Sequence, residues 1–301
     1  MLNIRRILVP NDYSPQAQAA LRHAAWYAKR HKATIHLLTV STLFEDLYPV
    51  LADEERASKL HPFEETLLEV SAKGNAFRFV EAERKADQID KGILKYAEEI
   101  KADLIVMATH GRQGLDHLLI GSVAESVVRR ADCPVLTVRS SAKYAEPAPK
   151  RILVPLDFSA HARKALAHAR ELRDNRRAEL NLLHVVQHMP AYGVIDVPPE
   201  PPDLAEKREN AALKGMREIA AEILDPNDAP TFHVLAVHGN PAIRILEAAK
   251  DLDADLIVMA SHGRTGIRRF VLGSVAEKIV QLAPCPVFTV KAFGQSLLPG
   301  A

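Results

Sequence analysis

The sequence predicts an α/β fold: two doubly wound, five-stranded parallel sheets with helices on both faces, packed as an internal pseudo-dimer. Three observations predict it. Short apolar runs alternate with helical patterns along the chain, the order that generates parallel sheets. The stretch ATHGRQGLDHLLIGSVAE at 108–125 returns as ASHGRTGIRRFVLGSVAE at 260–277, so the chain is an internal repeat. Each half also closes on an apolar run, Val135–Val138 or Val287–Val290. An exposed apolar sheet edge aggregates unless it is paired or covered, so these two edges are expected to pair with each other.

In the first half, Ile7–Val9 is a compact β-rich run. Pro15–Arg30 spaces Ala20, Leu21, Ala24, Ala25 and Ala28 at helical intervals behind Ser14 as N-cap. Ile35–Val40 reads as strand, Glu54–Lys73 as helix, Phe77–Ala82 as strand and Asp90–Ile100 as helix. Leu104–Ala108 is almost uninterrupted Leu, Ile, Val and Met, the mark of a strand covered on both faces. Gly121–Arg130 makes the last helix and Val135–Val138 the last strand. The second half repeats the order: Ile152–Pro155, Ser159–Arg173, Leu180–Val186, Asp203–Ile223, Thr231–Val237, Pro241–Leu252, Leu256–Ala260, Gly273–Leu282 and Val287–Val290.

A chain of 301 residues suits two domains, each large enough for its own core. The repeat places them at 1–140 and 151–292. Between them lies a linker, 141–150, in the small, polar and proline-bearing stretch Ser140–Lys150. Arg6-Ile-Leu-Val-Pro10 recurs as Arg151-Ile-Leu-Val-Pro155, and Asp103-Leu-Ile-Val-Met-Ala108 as Asp255-Leu-Ile-Val-Met-Ala260. The second pair is spaced more widely, so the second half carries a net insertion, placed in the proline-rich Val197–Pro202. Residues 293–301 (FGQSLLPGA) read as a flexible tail.

Composition excludes rather than identifies. With 48% hydrophobic and 26% charged residues the chain is ordinary globular protein, and a net charge of +1 gives no global reason to expect nucleic acid or an anionic membrane as partner. No apolar run approaches a membrane span, and no signal-peptide pattern precedes the first strand, so a cytoplasmic location is expected. Cys133 and Cys285 each precede a proline at the start of an apolar run, where buried thiols are expected rather than a disulfide.

The chemistry is expected where the strand order reverses, beyond the carboxyl ends of the strands. Two loops converge there: the one after the first strand, holding Asp12 or Asp157, and the glycine loop after the fourth. In that loop Gly111 or Gly263 is followed, after nine residues, by Gly121-Ser122 or Gly273-Ser274 opening a helix. Glycine admits close approach by an oxygen-rich group, and a helix start offers free N–H groups to phosphate. Ser122 and Ser274 add a hydroxyl, Arg112 and Arg264 add a forked cation, and Asp12 and Asp157 can accept ribose hydroxyls. Neither the Walker sequence nor GxGxxG is present.

Across nearly its whole length the chain resembles a tandem universal stress protein. The resemblance rests on ILVPxDxS at the head of each half, DLIVMAxHGR in the middle, then GSVAE and CPVxTV. It implies the five-stranded parallel sheet, pairing of the two halves, and, in the nucleotide-binding branch, ATP held by G-x2-G-x9-G-[ST]. Carried over, the site is Pro10, Asp12, Val40, Ala108, His110, Gly111, Arg112, Gly121, Ser122 and Val123. Its second copy is Pro155, Asp157, Val185, Ala260, His262, Gly263, Arg264, Gly266, Gly273, Ser274 and Val275. Ala108 and Ala260 replace the family's first glycine, a change compatible with weakened binding where the backbone keeps φ < 0. The ligand is expected to be ATP or a related adenine nucleotide, with Mg2+ as an accompanying ion that Asp12 could hold through the phosphates. A further homodimer is left open.

Other chemistries are weaker. His184 and His188 are four apart but on a strand and its end, and His110 and His262 lack Cys or His partners at metal spacing, so no metal site is expected. A loop-shaping hydrogen bond is the simpler role for His110 and His262. No nucleophile elbow and no base for an attacking water can be placed, so no catalytic residue is assigned and hydrolysis is at most slow. A nucleotide-free interaction module, with glycine loops shaping a surface, is the alternative. The second half is expected to bind more tightly: its loop carries Arg264, Arg268 and Arg269, whereas in the first Asp116 offsets Arg112. It also has the turn Gly239-Asn240-Pro241 where the first half has Asp87-Gln88-Ile89.

Overall fold

The computed structural model describes residues 2–42, 65–66, 69, 77–109, 121–139, 147–173, 178–188, 202–238, 240–263, 272–291 and 293–298. The first half contains β1 (Arg6–Pro10), α1 (Pro15–His31), β2 (Thr34–Ser41), β3 (Arg78–Lys85), α2 (Ile89–Glu99), β4 (Leu104–Ala108), α3 (Ser122–Arg130) and β5 (Val135–Val138). The second contains β6 (Arg151–Pro155), α4 (Ala160–Leu172), β7 (Glu179–His188), α5 (Pro202–Ile223), β8 (Thr231–His238), α6 (Pro241–Asp251), β9 (Leu256–Ala260), α7 (Ser274–Leu282) and β10 (Val287–Val290). Of the helix expected at 54–73, Glu65, Thr66 and Glu69 are helical, and its other residues lie outside those described. So do 140–146 of the linker region and 197–201 of the expected insertion.

Both halves are parallel five-stranded sheets, and they merge. The strand order is β3-β2-β1-β4-β5-β10-β9-β6-β7-β8. Every pairing within a half is parallel; β5 and β10 run antiparallel, with Leu136 opposite Phe288 and Thr137 opposite Val287. The two apolar edges thus cover each other, as expected, and the pseudo-dimer is one ten-stranded sheet.

The uninterrupted apolar strands follow from cores on both faces. Ile7, Val9, Leu104, Val106, Leu136 and Val138 point to one core, with their second-half equivalents, against α1, α4 and α5. Leu8, Ile105, Met107, Val135 and Leu153 point to the other, against α2, α3, α6 and α7. A period of two that is apolar on both phases reads as a solid run. Phe288 bridges the halves in the first core, its ring centroid 6.5 Å from both Tyr27 and His168.

Capping explains the helix starts. Ser14 Oγ accepts from Ala17 N at 3.1 Å, and Ser159 Oγ from Ala162 N at 3.1 Å. The repeated Asp103 and Asp255 also have a structural task. Asp103 Oδ2 accepts from the backbone N–H of Arg5 and Arg6, both at 2.8 Å, and Asp255 likewise takes those of Lys150 and Arg151. Each ties the head of its fourth strand to the head of its first. The outer strand β3 runs on to Lys85, past the expected Ala82, because its charged end suits a sheet edge. Cys133 and Cys285 are both buried as thiols.

The expectation of a flexible tail is corrected for residues 293–298. Asn3 N donates to Leu297 O at 2.8 Å, Gln295 N to Asp132 O at 2.8 Å, and Gln295 Nε2 to Asp103 Oδ1 at 2.6 Å. Leu297 has no exposed surface and belongs to the first core. The end of the second half is strapped onto the first by partners that its own composition does not reveal.

Candidate functional site

In each half the strand order reverses at the first strand, which has the second strand on one side and the fourth on the other. Connections from these strands leave in opposite directions and open a crevice at their carboxyl ends. Pro10 and Pro155 end β1 and β6, and Asp12 and Asp157 lie two residues beyond. Their carboxylates organise the turn into the next helix. Asp12 Oδ1 accepts from Ser14 N at 3.0 Å, and Asp157 Oδ1 from Ser159 N at 3.1 Å and Ser159 Oγ at 2.6 Å. Between each Asp and Ser an aromatic residue takes positive φ, 62° at Tyr13 and 65° at Phe158. Sequence reasoning missed this pair; the repeated Asp-aromatic-Ser was the available signal. The Phe158 ring packs tilted against that of His184, centroids 4.3 Å apart, and the Tyr13 hydroxyl accepts from Thr39 Oγ1 at 3.3 Å.

Ala108 and Ala260 are the last residues of β4 and β9, paired with Val138 and Val290. They are extended strand residues, so alanine in place of glycine needs no positive φ there. The following residues close the neck of the loop. Thr109 N donates to Val138 O at 3.0 Å, and Gly121 N returns to Thr109 O at 2.7 Å. Ser261 N donates to Val290 O at 2.8 Å, and Gly273 N to Ser261 O at 3.0 Å. Both glycine loops thus start and end at one point beside the fourth strand, with the helix start anchored to that strand's end.

Gly121 and Gly273 are the N-caps of α3 and α7, at φ −66° and −62°, with no side-chain cap hydrogen bond among the described residues. That conformation is open to any residue. A Cβ on Gly121 would come no nearer than 3.4 Å to Thr109 O, and one on Gly273 no nearer than 3.4 Å to Ser261 O. Neither backbone conformation nor the described packing requires glycine at these two places. Gly263 differs: its Cβ would stand 2.5 Å from Asp157 Oδ2. The glycine loop and the Asp157 loop therefore touch, as a shared crevice demands.

Val40 and Val185 sit two residues beyond Leu38 and Leu183, the register partners of Pro10 and Pro155, and both pack partly buried on the second core. Val123 and Val275 pack there as the second residues of α3 and α7. Ser122 and Ser274 are exposed at the helix starts. His262 is buried, with Nδ1 3.0 Å from Ser261 Oγ and its ring edge-on to Phe293 at 5.9 Å. His110, Gly111, Arg112, Arg264 and Gly266 lie outside the described residues, as do Asp116, His117, Arg268 and Arg269. Among the described residues, a cleft of about 430 Å³ runs along α5 past Asn210, Lys214 and Arg217.

No group of three or more His, Cys, Asp or Glu among the described residues is placed to hold a metal ion. No described helix is long and apolar enough to cross a membrane.

The model of the Universal stress protein family matches the chain twice, at residues 3–139 and 149–291. A universal stress protein of Mycolicibacterium smegmatis is 28% identical over 300 residues, 95% of this chain and 96% of that one. The crystal structure of a putative universal stress protein from Pseudomonas aeruginosa is similar over 96% of this chain and 93% of its own, with TM-score 0.64 and 20% identity. One from Archaeoglobus fulgidus covers 95% and 98%, with TM-score 0.59 and 22% identity. At such identities the two structures speak for the fold.

Proposed function

The chain belongs to the universal stress protein family, as two consecutive copies of its domain, and from that premise we propose that it binds ATP or a related adenine nucleotide as a regulatory ligand. One observation carries the reading. Gly121 and Gly273 open α3 and α7 where the backbone conformation and the packing of the described residues would accept a side chain. Without a Cβ, the N–H groups of the first turn stay open to a phosphate, and the positive end of the helix dipole favours it. The alanine positions fit the same cradle, since both lie in extended strand.

In this reading Gly263 lets the backbone approach Asp157, which would receive ribose hydroxyls, and Asp12 would have that role in the first half. Mg2+ would enter with the phosphates. The role in this reading is regulatory: the residues hold and orient a ligand, and hydrolysis is at most slow. A cytoplasmic location belongs to the same proposal.

The second half is the tighter site. Asn240 Oδ1 caps α6 by accepting from Ala242 N at 2.9 Å, whereas Gln88 makes no side-chain cap at α2. The better-capped turn and the sequence's more basic loop both belong to the second half, and a ten-fold difference needs only about 1.4 kcal/mol. Mass spectrometry of denatured protein, followed by titration with millimolar ATP, tests the reading. Released or bound nucleotide is expected. A protein that carries none and binds none is instead an interaction module.

A further inference from the structure

Arg139 directly follows β5 and Lys291 directly follows β10, so they occupy equivalent places in the repeat. Each crosses the seam. Lys291 Nζ donates to Val128 O in the last turn of α3, and Arg139 Nη2 donates to Gln281 O in the last turn of α7. The last carbonyls of a helix have no partner within it, and a cation there also suits the negative end of the dipole. α7 has no basic residue of its own in its last turn, so Arg139 supplies one from the other half. Lys291 is only 3% exposed, although it follows an ordinary strand end. These are the two helices that Gly121 and Gly273 open.

We propose that Arg139 and Lys291 are reciprocal positioning residues, each holding from across the seam the helix whose start receives the phosphates bound by the other half. The proposal rests on the phosphate-binding reading of Gly121 and Gly273. A nine-residue helix is only about 13 Å long. An anion at its start and a cation at its end therefore act on one row of aligned peptide dipoles, through a partly buried helix. Ligand in the first half is linked to the charge of Lys291, and ligand in the second to that of Arg139. Linkage is reciprocal, so ligand in the first half in turn favours the charged form of Lys291.

The two caps differ in one respect. Burial pushes the Lys291 ammonium down to about 8, against the pull of Cys133 and Asp132. The Cys133 thiol beside it is pushed up to about 12 by burial, and Lys164 Nζ donates to the Lys291 carbonyl at 3.2 Å. Burial also lowers Arg139, but a guanidinium stays charged at any working pH. The first-half site therefore weakens as pH rises through about 8, and the second-half site does not.

The test uses the full chain with Lys291→Met, Arg139→Met and the restoring Lys291→Arg. Amide hydrogen exchange at pH 7 reads each helix without ligand. Lys291→Met is expected to speed exchange about five-fold in α3 and leave α7 unchanged; Arg139→Met does the reverse, and Lys291→Arg restores α3. Calorimetric titration with ATP is done in a Gly273→Val background, where only the first site is open. Lys291→Met is expected to weaken that site about three-fold and remove its loss above pH 8, while Arg139→Met leaves it unchanged. Exchange that rises in both helices or in neither overturns the proposal, as does equal weakening by both variants. A wild type that binds no ATP overturns the nucleotide reading alone, and the helix-selective exchange pattern then decides whether the cations act in trans.

Discussion

Gly263 lies directly against Asp157: a Cβ on the glycine would stand 2.5 Å from Oδ2 of the carboxylate. The carboxylate cannot simply rotate away, because Oδ1 already accepts from both Ser159 N and Ser159 Oγ. This contact joins the two loops of the second crevice. Gly263→Ala is therefore expected to lower stability by about 1 kcal/mol and ATP affinity at least ten-fold. In an Asp157→Ala background the stability effect should vanish, since nothing remains to be struck. Thermal melts of the four proteins check it, and additive losses would mean that the contact is not the cause.

Gly273→Val and Gly121→Val separate the sites. Each glycine has an ordinary extended conformation with its nearest Cβ neighbour at 3.4 Å. Both variants should fold, with stability changed by no more than about 1 kcal/mol. Gly273→Val should abolish the tighter phase of an ATP titration, and Gly121→Val the weaker. The opposite result would reverse the assignment of the halves.

Acid should weaken the fold through His168. The ring has no exposed surface; Nδ1 donates to Lys164 O at 2.7 Å, and Nε2 accepts from Leu297 N at 3.4 Å. Burial pushes its pKa down from 6.5 to about 4. The unfolded chain thus binds the proton first, and stability present above pH 6.5 is lost as pH falls toward 4, by about 3 kcal/mol. His31 is lowered in the same direction by burial and by Arg30. Urea unfolding at pH 7, 5.5 and 4.5 should show the decline, and His168→Gln should flatten it. An unchanged slope in that variant would assign the effect elsewhere.

Removing the strap's anchor tests the corrected tail. Leu297 is fully buried in the first core, which both halves build, so Leu297→Ala should lower stability by about 3 kcal/mol. Truncation after Lys291 should cost at least as much, because it also removes the Gln295 bonds to Asp103 and Asp132. A truncated protein as stable as the full chain would show that the strap contributes nothing.

Asn240→Ala should lower stability by about 1 kcal/mol through loss of the α6 cap. Gln88→Ala, at the equivalent helix start, should change it little, since Gln88 makes no side-chain cap bond. Equal effects in chemical unfolding would contradict the difference between the halves.

Much of this protein is written locally. The order of strands and helices follows from neighbouring residues: apolar runs such as Leu104–Ala108, the Ser14 cap, and helical spacing from Ala20 to Ala28. The pairing of β5 with β10 was also legible, because an apolar terminal strand in each half leaves a matched edge to be covered. The Gly-x9-Gly-Ser repeat was legible as the segment that leaves the fourth strand of each half and opens the next helix, and Gly121 and Gly273 stand at those helix starts. Tertiary structure alone decided which polar and flexible-looking residues become fixed. Lys291 looks like any cation after a strand, and Phe293–Leu298 like a loose end. Both are ordered by groups far away in sequence: Val128 for the first, and Asn3, Asp103, Asp132 and His168 for the second. A local pattern carries the preference of a segment for its own conformation. It carries no record of the unpaired carbonyl or buried imidazole that folding brings to meet it.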